Sequence, residues 1–240
     1  MMSTTVELVQ ATPSQKARDL LRQLYHLIQQ ESGRAPALGE FFPVAVDLLV
    51  TKVLKWELEF VDLVGSQFTN DGQFIGPNHG EADPATRRIL VSTGKGGEEE
   101  KRFTIAHEVG HAVLHADRLA PTNRTRSVRP VDRRAAMSPQ PLQQRLEREA
   151  DVFAAALLMP EKAVRTRFKE LFAVDRMRIQ ALLDNVATVP NMRAGSYSLR
   201  EQATEIARRK SRPEEKSLAE FFGVSSTAMA IRICELRLIQ

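Results

Sequence analysis

Arg102-Phe103-Thr104-Ile105-Ala106-His107-Glu108-Val109-Gly110-His111-Ala112-Val113-Leu114-His115 is the stretch on which the fold turns. Apolar residues at Ile105, Val109, Ala112 and Val113 predict a buried helix from about Phe103 to Ala116, with Thr104 placed to cap its start. Inside it, His107-Glu108-Val109-Gly110-His111 is an HExxH pentapeptide. Positions four apart lie on one helix face, so both imidazoles can reach one metal ion. Glu108 sits beside them, placed to hold and deprotonate a water. Zinc with three protein ligands keeps a fourth position for that water, whose pKa falls to roughly 7.

Such a site needs a third ligand. His115 is about 12 Å of helix rise from His107, too far for all three histidines to converge, and reads as a packing or supporting residue. Six residues after His111 stands Asp117, so the extended HExxHxxGxxH pattern is absent. The stronger candidate is the segment Glu147-Arg148-Glu149-Ala150-Asp151. Glu147 and Asp151 share a face at i and i+4, so one carboxylate can bind the metal while the other orients a ligand histidine. Glu147 is the expected ligand, Asp151 the expected support, and Glu149, expected to turn toward solvent, the alternative ligand. The apolar run from Val152 to Met159 predicts a largely buried helix over 142–159, stopped by Pro160. The donor set suits Zn²⁺, while Mn²⁺ or Fe²⁺ could also occupy two histidines and a carboxylate.

Outward from these blocks, Leu20, Leu21, Leu24, Leu27 and Ile28 predict an amphipathic helix over 14–30. A second helix is expected from Val44 to Leu54, opened by Pro43. The period then changes: Trp56 to Val64, Gln73 to Gly76 and Arg88 to Ser92 read as three short strands. A long loop follows from about Leu119 to Pro141, and two helical stretches after Pro160 run to about Val186. Near the end, Ser217 to Leu238 reads helix, Gly223-Val224-Ser225 turn, helix, which resembles a helix-turn-helix. A soft boundary near residue 190 divides a domain over 1–190 from a helical extension over 191–240.

Composition narrows the classes. A chain of 240 residues with 42% hydrophobic and 27% charged residues is an ordinary globular one, and 6% aromatics with 12 Gly and 12 Pro exclude collagen-like and prion-like repeats. The single Cys234 cannot form an intrachain disulfide, which fits a reducing compartment. The first residues lack a basic segment followed by an apolar core, and the most apolar stretch, Phe41 to Val61, is broken by five charges, so no leader or membrane span is expected. The expected location is the cytoplasm.

A net charge of +4 is too small to argue for nucleic acid, but eight arginines from Arg118 to Arg148 face only Asp132 and Glu147, a local excess of +6. That segment reads as a soluble insertion, with a substrate-recruiting or lid role as the alternative. In the terminal segment Arg232, Arg237 and Arg208-Arg209-Lys210-x-Arg212 supply positive charge that could meet phosphates, yet the second helix is poor in side chains suited to base edges. DNA is a possible partner but not the favoured one.

Arg102 to His111, followed by Glu147-x-x-Ala150-Asp151-x-Phe153-Ala154-Ala155-x-Leu157-Leu158-Met159-Pro160, resembles the ImmA/IrrE family of bacterial and phage metallopeptidases over roughly residues 40 to 165. The resemblance implies an α+β, zincin-like domain: a short sheet packed with helices, with the third metal ligand on the helix after HExxH. It also implies a cytoplasmic endopeptidase that cuts a helix-turn-helix repressor to release mobile-element or stress-response genes. Asp151 stands where Asn is more usual in such proteins, a departure compatible with a supporting carboxylate. By analogy with zincins, an exposed strand edge, at Gln73 to Gly76 or Arg88 to Ser92, would receive substrate as an added strand, and Tyr197, the only tyrosine downstream, is the candidate oxyanion donor. The competing reading is a DNA-binding or protein-binding transcriptional regulator whose metal site is structural or inactive.

Overall fold

The structure is a computed structural model and describes residues 11–62, 80–94, 97–116, 141–178 and 198–240. Helix α1 (Pro13–Ser32) opens at a reciprocal cap in which Thr12 Oγ1 accepts from the Gln15 amide and Gln15 Oε1 from the Thr12 amide. It ends at Gly33, whose φ of 72° is the left-handed cap that glycine adopts without a Cβ penalty. Its buried face is Ala17, Leu20, Leu21 and Leu24, the stripe expected from the sequence. Lys16 Nζ donates to the Val113 carbonyl at 3.1 Å and so ties α1 to the helix that carries HExxH.

The helix expected from Val44 starts later and winds differently. After α2 (Leu38–Phe41) comes a single turn, α3 (Val46–Leu48), which widens into a π-helical stretch over Leu49–Leu54. The Lys55 amide closes it on the Val50 carbonyl, five residues back, and both Leu49 and Val50 are buried. Periodicity alone does not separate α from π winding over so short a run.

The sheet has strand order β1-β3-β2, with β1 (Glu57–Val61), β2 (Gly80–Asp83) and β3 (Arg88–Ser92). β1 runs parallel to β3, pairing Glu57 with Arg88, and β2 runs antiparallel to it, pairing Gly80 with Val91. Ile89 and Val91 are buried beneath the sheet. One strand was not expected, and one expectation changes. β2, with the sequence Gly-Glu-Ala-Asp, has little intrinsic β preference and is held by its partner strand instead. Arg88 to Ser92 is the central strand with both edges paired, so among the described strands the edges belong to β1 and β2. The candidate strand at Gln73 to Gly76, the expected loop from Leu119 to Pro141 except Pro141 itself, the boundary near 190 and Tyr197 lie outside the described residues.

Helix α4 (Glu98–Leu114) begins five residues before the expected start at Phe103. Gly97 is its N-cap, and Glu98, Glu99 and Glu100 fill the first turn, where the helix dipole favours negative charge. Thr104 lies inside the helix, its hydroxyl on the Glu100 carbonyl at 2.9 Å, and caps nothing. Helix α5 (Pro141–Leu158) stops before Pro160, and α6 (Glu161–Phe172) follows. Arg145 and Arg148, expected within the basic insertion, are on α5. No second helix begins after α6 in the described residues up to 178, where Met177 instead bridges to Ile239; the rest of the stretch expected toward Val186 lies outside the described residues.

α4 and α5 cross at Gly110. A Cβ there would stand 3.1 Å from Ala150 Cα and 3.2 Å from a ring carbon of the fully buried Phe153. Only hydrogen fits without the helices parting.

The last helices are α7 (Leu199–Arg208), α8 (Leu218–Phe222) and α9 (Ser226–Glu235). Gly223 turns α8 into α9 at a φ of 60°, and Ser225 caps α9 by accepting from the Ala228 amide. These helices share one apolar cluster with α1, α4, α5 and α6; Phe222, for example, stands edge-on to Phe42 at 4.8 Å. Four arginines join the same layers through backbone carbonyls: Arg102 to Gly223 at 2.7 Å, Arg165 to Leu236 at 3.0 Å, Arg167 to Lys216 at 3.3 Å and Arg232 to Met159 at 3.0 Å. Arg232, a candidate phosphate contact from the sequence, is thus committed inside the fold.

Replacing Gly110 tests the crossing. Gly→Ala gains about 1 kcal/mol of helix propensity, which masks part of the steric cost, so valine is the sharper probe. Gly110→Val is expected to destabilise the metal-free protein by about 1–3 kcal/mol in urea unfolding; an unchanged midpoint would contradict the close crossing.

Candidate active site

The crossing of α4 and α5 sets the site. His107 and His111 lie one turn apart on α4, and Glu147 on α5 reaches across to both. His107 Nε2 is 3.2 Å from Glu147 Oε2 and 3.1 Å from His111 Nε2, and His111 Nε2 is 3.5 Å from the same carboxylate oxygen. Donor atoms placed about 2.0–2.1 Å from a tetrahedral zinc stand about 3.3–3.4 Å apart, so this triangle already has the edge length of a coordination tetrahedron. Three groups that offer lone pairs face one another across it, an arrangement suited to a divalent cation. His107, His111 and Glu147 are the set of three such groups found together among the described residues.

The far side of each imidazole is held as well. His107 Nδ1 is 2.9 Å from Asp151 Oδ1, so that N–H points at the carboxylate and Nε2 points into the triangle, where a metal would replace the proton facing Glu147. His111 Nδ1 lies 3.1 Å from His115 Nδ1, and His115 Nε2 lies 3.1 Å from Glu149 Oε2. Glu149 is accordingly neither a ligand nor turned to solvent: its second oxygen accepts from Arg145 Nε at 2.7 Å, and its first receives His115.

Glu108 does not join the triangle. It is buried, and its side chain lies against β2, where a Cβ on Gly80 would meet Glu108 Cγ at 2.8 Å and Oε1 at 3.0 Å. Burial raises the pKa of its carboxyl above the ordinary value, against the opposing pull of His111 and His107. A carboxylate so tuned is a better proton acceptor near neutral pH. Burial pulls the His107 imidazolium down, but the hydrogen bonds to Asp151 and Glu147 outweigh it and push its pKa up to about 10. The same bonds, from His107 and then His111, hold the Glu147 carboxyl well below the usual carboxylate range.

Residues 67–184 match the profile of the IrrE N-terminal-like domain, a peptidase family. The chain carries a domain of the ImmA/IrrE family. Among curated proteins it is similar to the radiation response metalloprotease IrrE of Deinococcus radiodurans, 34% identical over 90 residues. That stretch covers 38% of this chain and 24% of the relative, so the chain spans about a quarter of that protein's length. Among solved structures it is similar to a Mycobacterium tuberculosis transcriptional regulator, at 14% identity and a TM-score of 0.41, over 93% of this chain and 52% of that one. That likeness is too loose to bear on fold or function. The family match points to a metallopeptidase. Among the described residues no helix is long and apolar enough to cross a membrane.

In this ImmA/IrrE domain, sequence reasoning read His115 as a packing or supporting residue but missed that its partner is His111. The i,i+4 step from His111 to His115 was there to be read, but the distance that mattered was to His111 rather than to His107. It also missed Gly80, because no local pattern signals that a strand backbone must pass close to Glu108.

The raised pKa of His107 has a definite sign. Its contribution to the stability of the metal-free protein is complete below the unfolded value of about 6.5 and is lost as pH rises through about 10. Metal must displace that proton, so calorimetric Zn²⁺ titration in two buffers of different ionisation enthalpy is expected to show about one proton released at neutral pH. An affinity independent of pH between about 6 and 9 would refute this assignment. Separately, Gly80→Ala should push Glu108 aside and lower turnover on the order of 10²-fold with zinc content unchanged; unimpaired turnover would place Glu108 elsewhere.

Proposed function

We propose that this chain is a zinc-dependent endopeptidase of zincin-like fold that hydrolyses a peptide bond in a protein substrate, a helix-turn-helix transcriptional repressor, in the cytoplasm. Mobile-element or stress-response genes are what such cleavage would release. The observation that carries the reading is Glu108: a buried carboxylate of raised pKa beside the ligand triangle but outside it. A structural metal site has no use for such a group, whereas a hydrolase requires one.

His107, His111 and Glu147 would hold the metal, with Asp151 orienting His107. Bound there, Zn²⁺, or Mn²⁺ or Fe²⁺ in its place, supplies Lewis acidity that polarises the scissile carbonyl and lowers the pKa of a coordinated water. The protein's own part is proton traffic and positioning. Glu108 accepts the proton of the attacking water and returns it to the leaving amine. Among the described strands β2 is an edge, and Gly80 on it meets Glu108, so its outer edge is where a substrate segment would align as a further strand. Tyr197, outside the described residues, is the proposed donor to the developing oxyanion.

The regulator reading draws on the helix-turn-helix-like pair α8 and α9. Its exposed side chains on α9 include Thr227, Ile231 and Glu235, none of them basic, and Arg232 is engaged with Met159 and Glu235. That pattern favours a packing role for the extension over 191–240.

The test is co-expression with a helix-turn-helix repressor encoded beside this protein, comparing wild type with Glu108→Gln. Repressor fragments are expected by mass spectrometry only with wild type, and the variant should keep its zinc while losing about 10²–10⁴-fold in rate. Fragments at equal yield from both proteins, or intact repressor with both, would reject the proposal.

A further inference from the structure

We infer that His115 and Glu149 form a relay that sets His111 as a metal ligand, making His115 a positioning residue rather than a ligand or a filler of the core. The inference rests on the metal-site reading above and adds to it a determinant of how tightly the metal is held.

The chain of contacts admits a consistent set of proton positions. Glu149 can only accept, so His115 Nε2 carries the proton across their 3.1 Å contact. A neutral imidazole has one N–H, which leaves His115 Nδ1 as a lone pair facing His111 Nδ1 at 3.1 Å. His111 must then donate from Nδ1, and its Nε2 is left as the lone pair in the triangle with His107 and Glu147. One carboxylate thus selects the tautomer of a ligand two groups away. Reversing either histidine would put two N–H groups or two lone pairs in opposition.

His115 does not bind the metal itself. Its ring meets the Nδ1 side of His111, the side turned away from the triangle. Core packing does not explain it either. It is 2% exposed, and burying an imidazole with a carboxylate costs desolvation that a leucine or phenylalanine would avoid. Arg145 steadies the outer end by donating to the other Glu149 oxygen at 2.7 Å, and the Arg145 bond, with that from His115, lowers the carboxyl's pKa. Asp151 performs the same service for His107 in one step. The two ligand histidines are therefore both buttressed from α5, one directly and one through His115.

The test uses the full chain and three variants: His115→Phe, Glu149→Leu and Glu149→Gln. Zn²⁺ affinity is read by competition with a chromophoric chelator, the ligand field by the visible spectrum of the Co²⁺-loaded protein, and folding by urea unfolding of the metal-free form. His115→Phe and Glu149→Leu are each expected to weaken Zn²⁺ binding about 10–100-fold and to alter the Co²⁺ spectrum. Combined, they should weaken it no further than either alone, since they break one relay. Glu149→Gln keeps an oxygen that accepts from His115 and should stay within about threefold of wild type. Glu149 is part-exposed, so its variants report even if His115→Phe does not fold.

Affinity and Co²⁺ spectrum unchanged in Glu149→Leu would overturn the relay while leaving the metal site standing. So would equal weakening by Glu149→Gln and Glu149→Leu. A folded wild-type chain that takes up no Zn²⁺ at micromolar concentration would instead overturn the metal site itself, and the relay with it.

Discussion

The close approach of α4 and α5 at Gly110 and Ala150 is the constraint on which the site depends. Each helix is unremarkable alone: one carries two histidines a turn apart, the other two carboxylates a turn apart. Function needs atoms from both within about 3.5 Å of one another. A glycine at the crossing, opposite an alanine and flanked by the buried Phe153, lets the backbones approach until short side chains can meet. Because the helices are also buried against α1 and the sheet, the approach is held by packing rather than by the polar groups themselves. That order matters, since a cluster of lone pairs repels until a proton or a cation fills it.

Around this crossing the polar groups form two opposed sets. On one side Asp151 and the His115–Glu149 pair face the outer Nδ1 atoms of the two imidazoles, so that both Nε2 atoms turn inward toward Glu147. On the other, Glu108 is set against the backbone of β2, where burial keeps its carboxyl weakly acidic. The pKa values are pushed apart by environment: the carboxyl among imidazoles goes down, and the carboxyl against the strand goes up. The two glutamates are thereby suited to the ligand's and the base's roles proposed for them.

The terminal helices serve the same frame. Arg102, five residues before His107, holds the carbonyl of Gly223, and a Cβ at Gly223 would meet both that guanidinium and Pro43. Charge-assisted bonds from arginine to buried carbonyls contribute about 1.5–3 kcal/mol each, comparable with filling a core position. Positive charge that suggests phosphate binding in the sequence is spent in part on these internal ties.

What the sequence determined by itself was local. Helix faces over about 14–30, 103–114 and 142–158, the existence of a strand at Arg88–Ser92, the Gly223 turn and the i,i+4 pairs His107–His111 and Glu147–Asp151 follow from periodicity and spacing, which neighbouring residues dictate through backbone geometry. The tertiary structure decided whatever depends on an approach between distant segments. Gly-Glu-Ala-Asp became a strand because β3 offered it hydrogen bonds, Glu149 turned to His115 because α5 crosses α4 where it does, and Gly80 came to lie against Glu108. None of these has a signature in the segment itself: β2 is fixed by a partner strand five to eleven positions on, and the other two by contacts between residues 28 and 34 positions apart.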